Sequence, residues 1–508
     1  MNPLLRRILT LSAILSFVGC GNQTAQQSPP ALTIYCAAGL RNPLESVAAA
    51  FQEECGIKVQ FQFGGSGTLL SQIKVSRSGD LLIAADDSSI DIARKAETAI
   101  EVIPFATQTP VIAVKTGNPK SLKTFSDLFA PALRLALANP EAASIGKSVR
   151  KAAADRWEAL ATKTTVMKPT VTEIAADLSL GAVDAAVIWD SLTTQFSDLE
   201  GIHIPELDAQ TERASAAVLS ASTHPADALK FARFLAAPEK GGAILATAGY
   251  KPISGDRWSP KPELTLYSGG VNRPAVEALL TRFATREGIG ITTVINGCGV
   301  LCATMKTMGS TENPKYPDAY YACDLCFVPP VAEQFPESIL LTETEIGIVV
   351  REGNPKGIRT LADLAQPNVR VGLCNAEQST LGYMTRGILK SSGLWESVHK
   401  NVVVEVPTAD FLVNQMRAGA LDAAIVYSVN TKAGSAQLEF HPILHAGAKA
   451  IQPFAVRGDS PNRQLALRLL DYLKNNRSEF EKAGFKWRGN EAPIESKSIE
   501  IPSWLKDK

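Results

Sequence analysis

The sequence predicts an α/β protein made of two tandem domains of the same fold, and three observations carry that expectation. A long internal repeat fills the chain, short β-branched runs alternate with helical patterns inside each repeat, and Gly/Ser loops sit where strands lead into helices. At 508 residues the chain is too long for one ordinary core. With 45% hydrophobic and 20% charged residues it is neither disordered nor fibrous. Fifty-one basic residues balance fifty-one acidic ones, so no bulk charge recruits nucleic acid or a membrane surface.

Residues 1–20 read as a secretion signal: Arg6 and Arg7, an apolar run from Ile8 to Val18, then Gly19-Cys20. The stretch Phe17-Val18-Gly19-Cys20 resembles a bacterial lipobox, which implies lipidation at Cys20. Residues 21–31 then read as a flexible tether, rich in Gln, Ser and Pro with nothing to pack. A lipid there would hold the domains at a membrane from the extracytoplasmic, periplasmic side.

The repeat is visible in order and spacing. Leu32-Thr33-Ile34-Tyr35 returns as Leu264-Thr265-Leu266-Tyr267, roughly 230 residues on. Gly117-Asn118-Pro119-Lys120 returns as Gly353-Asn354-Pro355-Lys356, and Gly181-Ala182-Val183-Asp184 as Gly419-Ala420-Leu421-Asp422. Residues 32–256 are expected to form the first domain and 263–508 the second, divided by a linker at 257–262 within the Pro-rich stretch Ser254–Pro262. Within the first copy, Leu32–Tyr35, Lys58–Phe63 and Leu81–Ala84 read as parallel strands buried on both faces, separated by helices.

In such sheets ligands bind beyond the C-terminal strand ends. There the first copy carries Ala37-Ala38-Gly39 and Gly64-Gly65-Ser66-Gly67-Thr68. A Gly/Ser loop opening a helix offers free N–H groups, the positive end of the helix dipole and the hydroxyls of Ser66 or Thr68, a setting for a small anion or simply a capped turn. Neither a dinucleotide glycine pattern nor a P-loop lysine is present.

Through LTIYCAAGLRNPLESVAAAFQEECGIKVQFQFGGSGTLLSQI (Leu32–Ile73), DLLIAAD (Asp80–Asp86), RLALANPEAASIGK (Arg134–Lys147), GAVDAAVIW (Gly181–Trp189) and FARFLAAPEKGGAILATAGYKP (Phe231–Pro252), the first copy resembles the periplasmic molybdate-binding proteins of ABC importers. The resemblance implies a type II periplasmic binding-protein fold, two α/β lobes joined by hinge strands and closing on a tetrahedral oxyanion. Its ligand loops would lie at Gly39, Ser66, Ile145, Val171 and Trp189. Gly39 stands where the family has a Ser, and Trp189 where it often has a Tyr, so two hydroxyl donors are missing. Each such donor to a charged ligand is worth about 1.5–3 kcal/mol. The second copy resembles the family more weakly, with Val271, Cys298, Leu381, Ala409 and Tyr427 at the same positions; of these only Tyr427 fits the pattern, and Asn296-Gly297-Cys298-Gly299 replaces the Gly/Ser loop.

Four cysteines cluster in the second copy as Cys298, Cys302, Cys323 and Cys326, with Cys374 elsewhere. An exported chain favours two disulfides joining the first pair to the second, with a four-thiolate soft-metal site or a redox Cys-x-x-Cys as alternatives. Tyr320-Tyr321 is expected to pack in the core. With five histidines at no metal spacing and neither a GxSxG nor an HExxH motif, no enzyme chemistry is expected, and no cofactor. The expected function is capture of a small, anionic solute, molybdate- or tungstate-like, for an ABC permease in the cytoplasmic membrane, by a monomer bound to the membrane only through its N-terminal lipid. The alternative is a sensory or scaffold lipoprotein that binds a protein partner or a soft metal ion through its Cys-rich second domain.

Overall fold

The computed structural model describes residues 31–309, 313–432 and 437–501. Cys20, with the signal and tether before residue 31, lies outside them. The helices form where the sequence supplies an apolar stripe and a stop. In Arg41–Cys55 the buried residues Leu44, Val47, Ala48 and Phe51 recur at three- and four-residue spacing, which lines one face. The helix ends at Gly56, whose φ of +72° is a left-handed conformation that glycine adopts without a Cβ penalty. Its counterpart Arg273–Glu287 buries Val276, Leu279, Leu280 and Phe283 and ends at Gly288, φ +66°.

Each copy is two lobes. Among the described residues, the first lobe of copy one holds a six-stranded sheet in the order Lys251–Pro252, Ala99–Gln108, Glu212–Leu219, Leu81–Ala84, Leu32–Ala37, Val59–Gly64. Leu32–Ala37 pairs in parallel with both Val59–Gly64 and Leu81–Ala84, while Glu212–Leu219 runs antiparallel to its neighbours. Leu32–Ala37 and Leu81–Ala84 are buried on both faces as expected. Val59–Gly64 is not: it lies at the sheet edge and alternates half-buried with exposed residues. The second lobe is a five-stranded sheet ordered Val166–Lys168, Leu135–Ala138, Ala185–Trp189, Pro110–Lys115, Leu199–Ile202, with its own apolar core.

The hinge passes through Thr109, between Ala99–Gln108 of one sheet and Pro110–Lys115 of the other. Its N–H donates to the Asp190 carboxylate at 2.9 Å. In copy two the corresponding crossing is one unbroken strand, Glu337–Arg351, which pairs with Lys449–Val456 in one lobe and Ala423–Tyr427 in the other, so the two lobes share a continuous sheet.

The strongest sequence repeats turn out to be clamps. Asn118, at φ +44°, brackets Leu122 by accepting from its N–H (3.0 Å) and donating to its carbonyl (2.8 Å). Asn354 does the same to Ile358 at 2.9 and 2.8 Å. Asp184 pairs with Arg134 at 2.7 Å, and Asp422 with Arg370 at 3.0 Å.

The Pro-rich stretch between the copies is fastened down rather than a loose spacer. Asp256 accepts from the N–H groups of Gln464 (2.7 Å) and Leu465 (2.8 Å), in the first turn of Arg463–Asn475, satisfying donors that a helix start leaves free. Trp258 packs edge-on against Phe234 at 4.9 Å and its indole N–H donates to Glu54 at 2.6 Å. Among the described residues no helix is long and apolar enough to cross a membrane.

Candidate functional site

In copy one the strand ends and helix starts of both lobes converge on a small cleft of about 20 Å³. Gly39, Ser66, Ile145, Val171 and Trp189 all line it, so five positions far apart in sequence are brought together. Ser66, Ile145 and Val171 lie in the first two positions of helices Ser66–Ser76, Ser144–Ala153 and Val171–Ser179. Their first-turn N–H groups have no acceptor within the helix, and three positive dipole ends meet there.

Ser66 is 1% exposed and its hydroxyl has no hydrogen-bond partner within the protein. An unpartnered buried hydroxyl costs free energy unless something in the cleft satisfies it. Thr68 does not join it. Two residues further along a helix is a rotation of about 200°, and Thr68 is turned out to solvent. Ser144 and Thr170 also line the cleft and were not singled out from sequence; each immediately precedes a carried-over position, Ile145 or Val171, and a hydroxyl residue opening a helix was the available signal.

The absence of a side chain at Gly39 is built into the packing. A Cβ there would stand 3.0 Å from Val171 Cγ1 and 3.2 Å from Leu192 Cδ1, so those side chains fill the space a serine would use. Gly39 is held instead by its carbonyl, which accepts from Tyr250 OH at 2.9 Å.

The two lobes touch across this cleft through backbone. Gly67 N–H donates to the Ala142 carbonyl at 2.9 Å. A Cβ on Gly65 would lie 2.3 Å from that carbonyl oxygen, and one on Gly67 2.2 Å from the Glu141 oxygen. The glycines are thus required by the approach of the opposite lobe. Lys147, on the second lobe, reaches Asp86 of the first at 3.5 Å and donates to Ser89 Oγ at 3.1 Å, an ionic latch over the same gap.

Copy two closes in the same way with different side chains. A Cβ on Gly297 would lie 2.2 Å from the Gln378 oxygen, and one on Gly299 2.2 Å from the Glu377 oxygen. Between them Cys298 takes the place of Ser66, opening Cys298–Met308. Tyr427 takes the place of Trp189, 3% exposed, and its hydroxyl has no partner. Tyr320 and Tyr321 are core residues as expected, both 0% exposed, with Tyr321 OH at 3.0 Å from Thr342 Oγ1.

The expected disulfides are not formed: all seven described cysteines are thiols. Cys298 and Cys323 do meet, and the Cys323 N–H donates to Cys298 Sγ at 3.1 Å. The second pair is not joined: Cys302, one helical turn on, directs its sulfur to the Phe327 carbonyl (3.5 Å) and Tyr320 OH (3.7 Å). Cys326 is tied into a turn by its N–H to Asp324 Oδ1 at 3.0 Å. Burial pushes the Cys302 and Cys374 thiols up to about 12. At Cys298 burial also raises the pKa, but hydrogen bonds from Cys323 and Tyr320 outweigh it and hold the thiol below its ordinary value. Among the described residues no group of three or more His, Cys, Asp or Glu is arranged to hold a metal, so the four-thiolate alternative has no geometry behind it.

A family model described as bacterial extracellular solute-binding protein matches residues 32–251 and again residues 264–486. Molybdate-binding protein ModA of Mycobacterium bovis is 24% identical over 254 residues, covering 48% of this chain and 95% of the relative. Molybdate-binding protein ModA of Escherichia coli is 31% identical over 164 residues, 30% of this chain and 63% of the relative. Among solved structures, the periplasmic molybdate-binding protein of Azotobacter vinelandii is similar at 18% identity and a TM-score of 0.39, covering 43% of this chain and 98% of that one.

Proposed function

We propose, from the premise that this chain belongs to the bacterial extracellular solute-binding proteins over both of its copies, that its first cleft captures a small tetrahedral oxyanion of the molybdate or tungstate kind. The chain binds its solute and does not transform it. In this reading it works outside the cytoplasm, held to a membrane by lipid on Cys20, and delivers the anion as a monomer to an ABC permease. Residues 32–256 and 263–508 act as its two binding units, fastened through 257–262.

The observation that carries the reading is the Ser66 hydroxyl, buried and unpartnered at the meeting point of three helix N-termini. That arrangement supplies hydrogen-bond donors, and it suits an anion without a basic side chain because backbone dipoles and N–H groups hold the charge. The relatives named as molybdate-binding support the choice of anion.

Titrating the full chain with molybdate, tungstate, sulfate and phosphate is expected to raise its melting temperature with at least one of them. Ligand at a hundred times its Kd stabilises by about 2.7 kcal/mol. Ser66→Ala is expected to weaken that anion by roughly ten- to a hundredfold, the worth of one hydrogen bond to a charge of about 1.5–3 kcal/mol. No shift with any of the four anions at millimolar concentration would sink the reading.

A further inference from the structure

The second cleft keeps the backbone of the first and exchanges its chemistry. Cys298 replaces Ser66, and Cys323 replaces Ala85, since both stand at the same point of a repeated Asp-x5-Asp segment, Asp80 to Asp86 and Asp318 to Asp324. Ser66 and Ala85 both line the first cleft. Gly269 replaces Ala37, and the reason is steric: a Cβ there would stand 2.2 Å from Cys323 Sγ and 3.1 Å from Cys298 Sγ. Two sulfurs therefore sit side by side under the first ligand loop, 0% and 5% exposed.

Two hydroxyls complete the setting. Thr380, 0% exposed, takes the place of Ser144 and stands beside both sulfurs, and Tyr427 takes that of Trp189, its hydroxyl without a hydrogen-bond partner in the protein. Two buried hydroxyls beside two thiols, that of Tyr427 unpartnered, point to a ligand that presents oxygen as well as an atom with affinity for sulfur.

Charge selects further. The latch lysine of copy one, Lys147, is replaced by Tyr383, whose ring packs against Phe327 at 6.0 Å. Asp324, the equivalent of Asp86, accepts instead from the N–H groups of Cys326 (3.0 Å) and Ile451 (2.9 Å). An oxyanion entering this cleft would find no latch lysine to balance its charge, whereas a neutral ligand needs none.

We propose that the second cleft captures a neutral oxyacid with a thiophilic trivalent centre, of which arsenous acid is the simplest, through Cys298 and Cys323. Each thiol condenses with one As–OH group: two As–S bonds form, two As–O bonds break, and two waters leave with the thiol protons. Arsenic stays trivalent and no oxidant is needed. The one remaining As–OH faces the hydroxyls of Thr380 and Tyr427. Because reactants and adduct are both neutral, the condensation places no new charge in the buried cleft.

The test uses the reduced full chain and sodium arsenite, with arsenate and molybdate as comparators. Arsenite is expected to mask two thiols per chain and to give an arsenic absorption-edge spectrum with two sulfur neighbours and one oxygen. Cys298→Ser or Cys323→Ala is expected to weaken arsenite by roughly a hundredfold, the loss of one arm of a two-point attachment, while Cys302→Ser retains it. Wild-type affinity in Cys298→Ser, a three-sulfur spectrum, or masking by copper(I) but not by arsenite would each overturn the proposal. The molybdate response of Cys298→Ser reports on the first cleft alone, so the two readings fail separately.

Discussion

Glu287→Ala is expected to destabilise the whole chain by about 3–5 kcal/mol, the cost of breaking a buried ion network by removing its centre. Glu287 is 1% exposed at the end of helix Arg273–Glu287. Arg233, from helix Pro225–Ala236 of the first copy, donates to its carboxylate at 3.0 Å and to its carbonyl at 2.9 Å. Arg468, from the second copy, reaches the same carboxylate at 2.7 and 3.1 Å. One carboxylate thus serves two guanidiniums that are themselves 7% and 10% exposed. Deleting it leaves two like charges buried together, and it cuts a buried tie between the copies. Arg286 pairs with Glu101 across the same boundary.

Urea denaturation followed by tryptophan fluorescence measures the effect, and splitting of one transition into two is expected as the copies uncouple. A single transition within about 0.5 kcal/mol of wild type, the range of an ordinary surface substitution, would show that the network contributes little. The pH dependence has a definite sign. Burial raises the Glu287 pKa, but Arg468 and Arg233 outweigh it and the folded value lies below the ordinary one. The stabilisation is therefore complete above the unfolded value of about 4.3 and disappears as pH falls through the folded one. Glu287→Gln should differ most from wild type near neutrality and converge with it in acid.

Gly67→Ala is expected to separate folding from binding in the first cleft. Gly67 sits in the first turn of a helix at ordinary φ, and alanine there is a better helix former by about 1 kcal/mol. The ligand-free protein should be as stable as wild type or slightly more so. The added Cβ, however, falls 2.2 Å from the Glu141 oxygen of the opposite lobe, a backbone atom that cannot swing aside. If that contact penalises the closed state by about 3 kcal/mol, apparent oxyanion affinity falls by roughly a hundredfold. Calorimetric titration alongside thermal melting measures both. Wild-type affinity in a stably folded Gly67→Ala protein would mean that the anion does not need the lobes to meet. Gly299→Ala, whose Cβ would lie 2.2 Å from the Glu377 oxygen, is the matched change in copy two and should leave the oxyanion untouched.

Much of this was legible in the chain itself. The repeat gave the two copies, since a duplicated hydrophobic pattern with duplicated turns folds twice, and a resemblance in five blocks located the first cleft. Yet the motifs that repeat most faithfully, Gly-Asn-Pro-Lys and Gly-Ala-x-Asp, proved to be a turn clamp and an arginine clamp away from the ligand loops. Backbone geometry constrains such residues identically in both copies, whereas a cleft is free to diverge.

What the sequence determined by itself was therefore local: strands, helix stripes, helix stops, and the loop residues available to a ligand. The thiol state of the cysteines, the fastening of the stretch between the copies and the need for glycine at Gly65 and Gly67 were decided only by tertiary structure. Each depends on an atom contributed from tens to hundreds of residues away: Glu141 and Ala142 against the glycines, Gln464 and Leu465 against Asp256, Arg233 against Glu287. Periodicity and propensity describe how a segment folds along its own length. They carry no information about which distant carbonyl or guanidinium will stand in front of it, and at these positions that neighbour sets the energy.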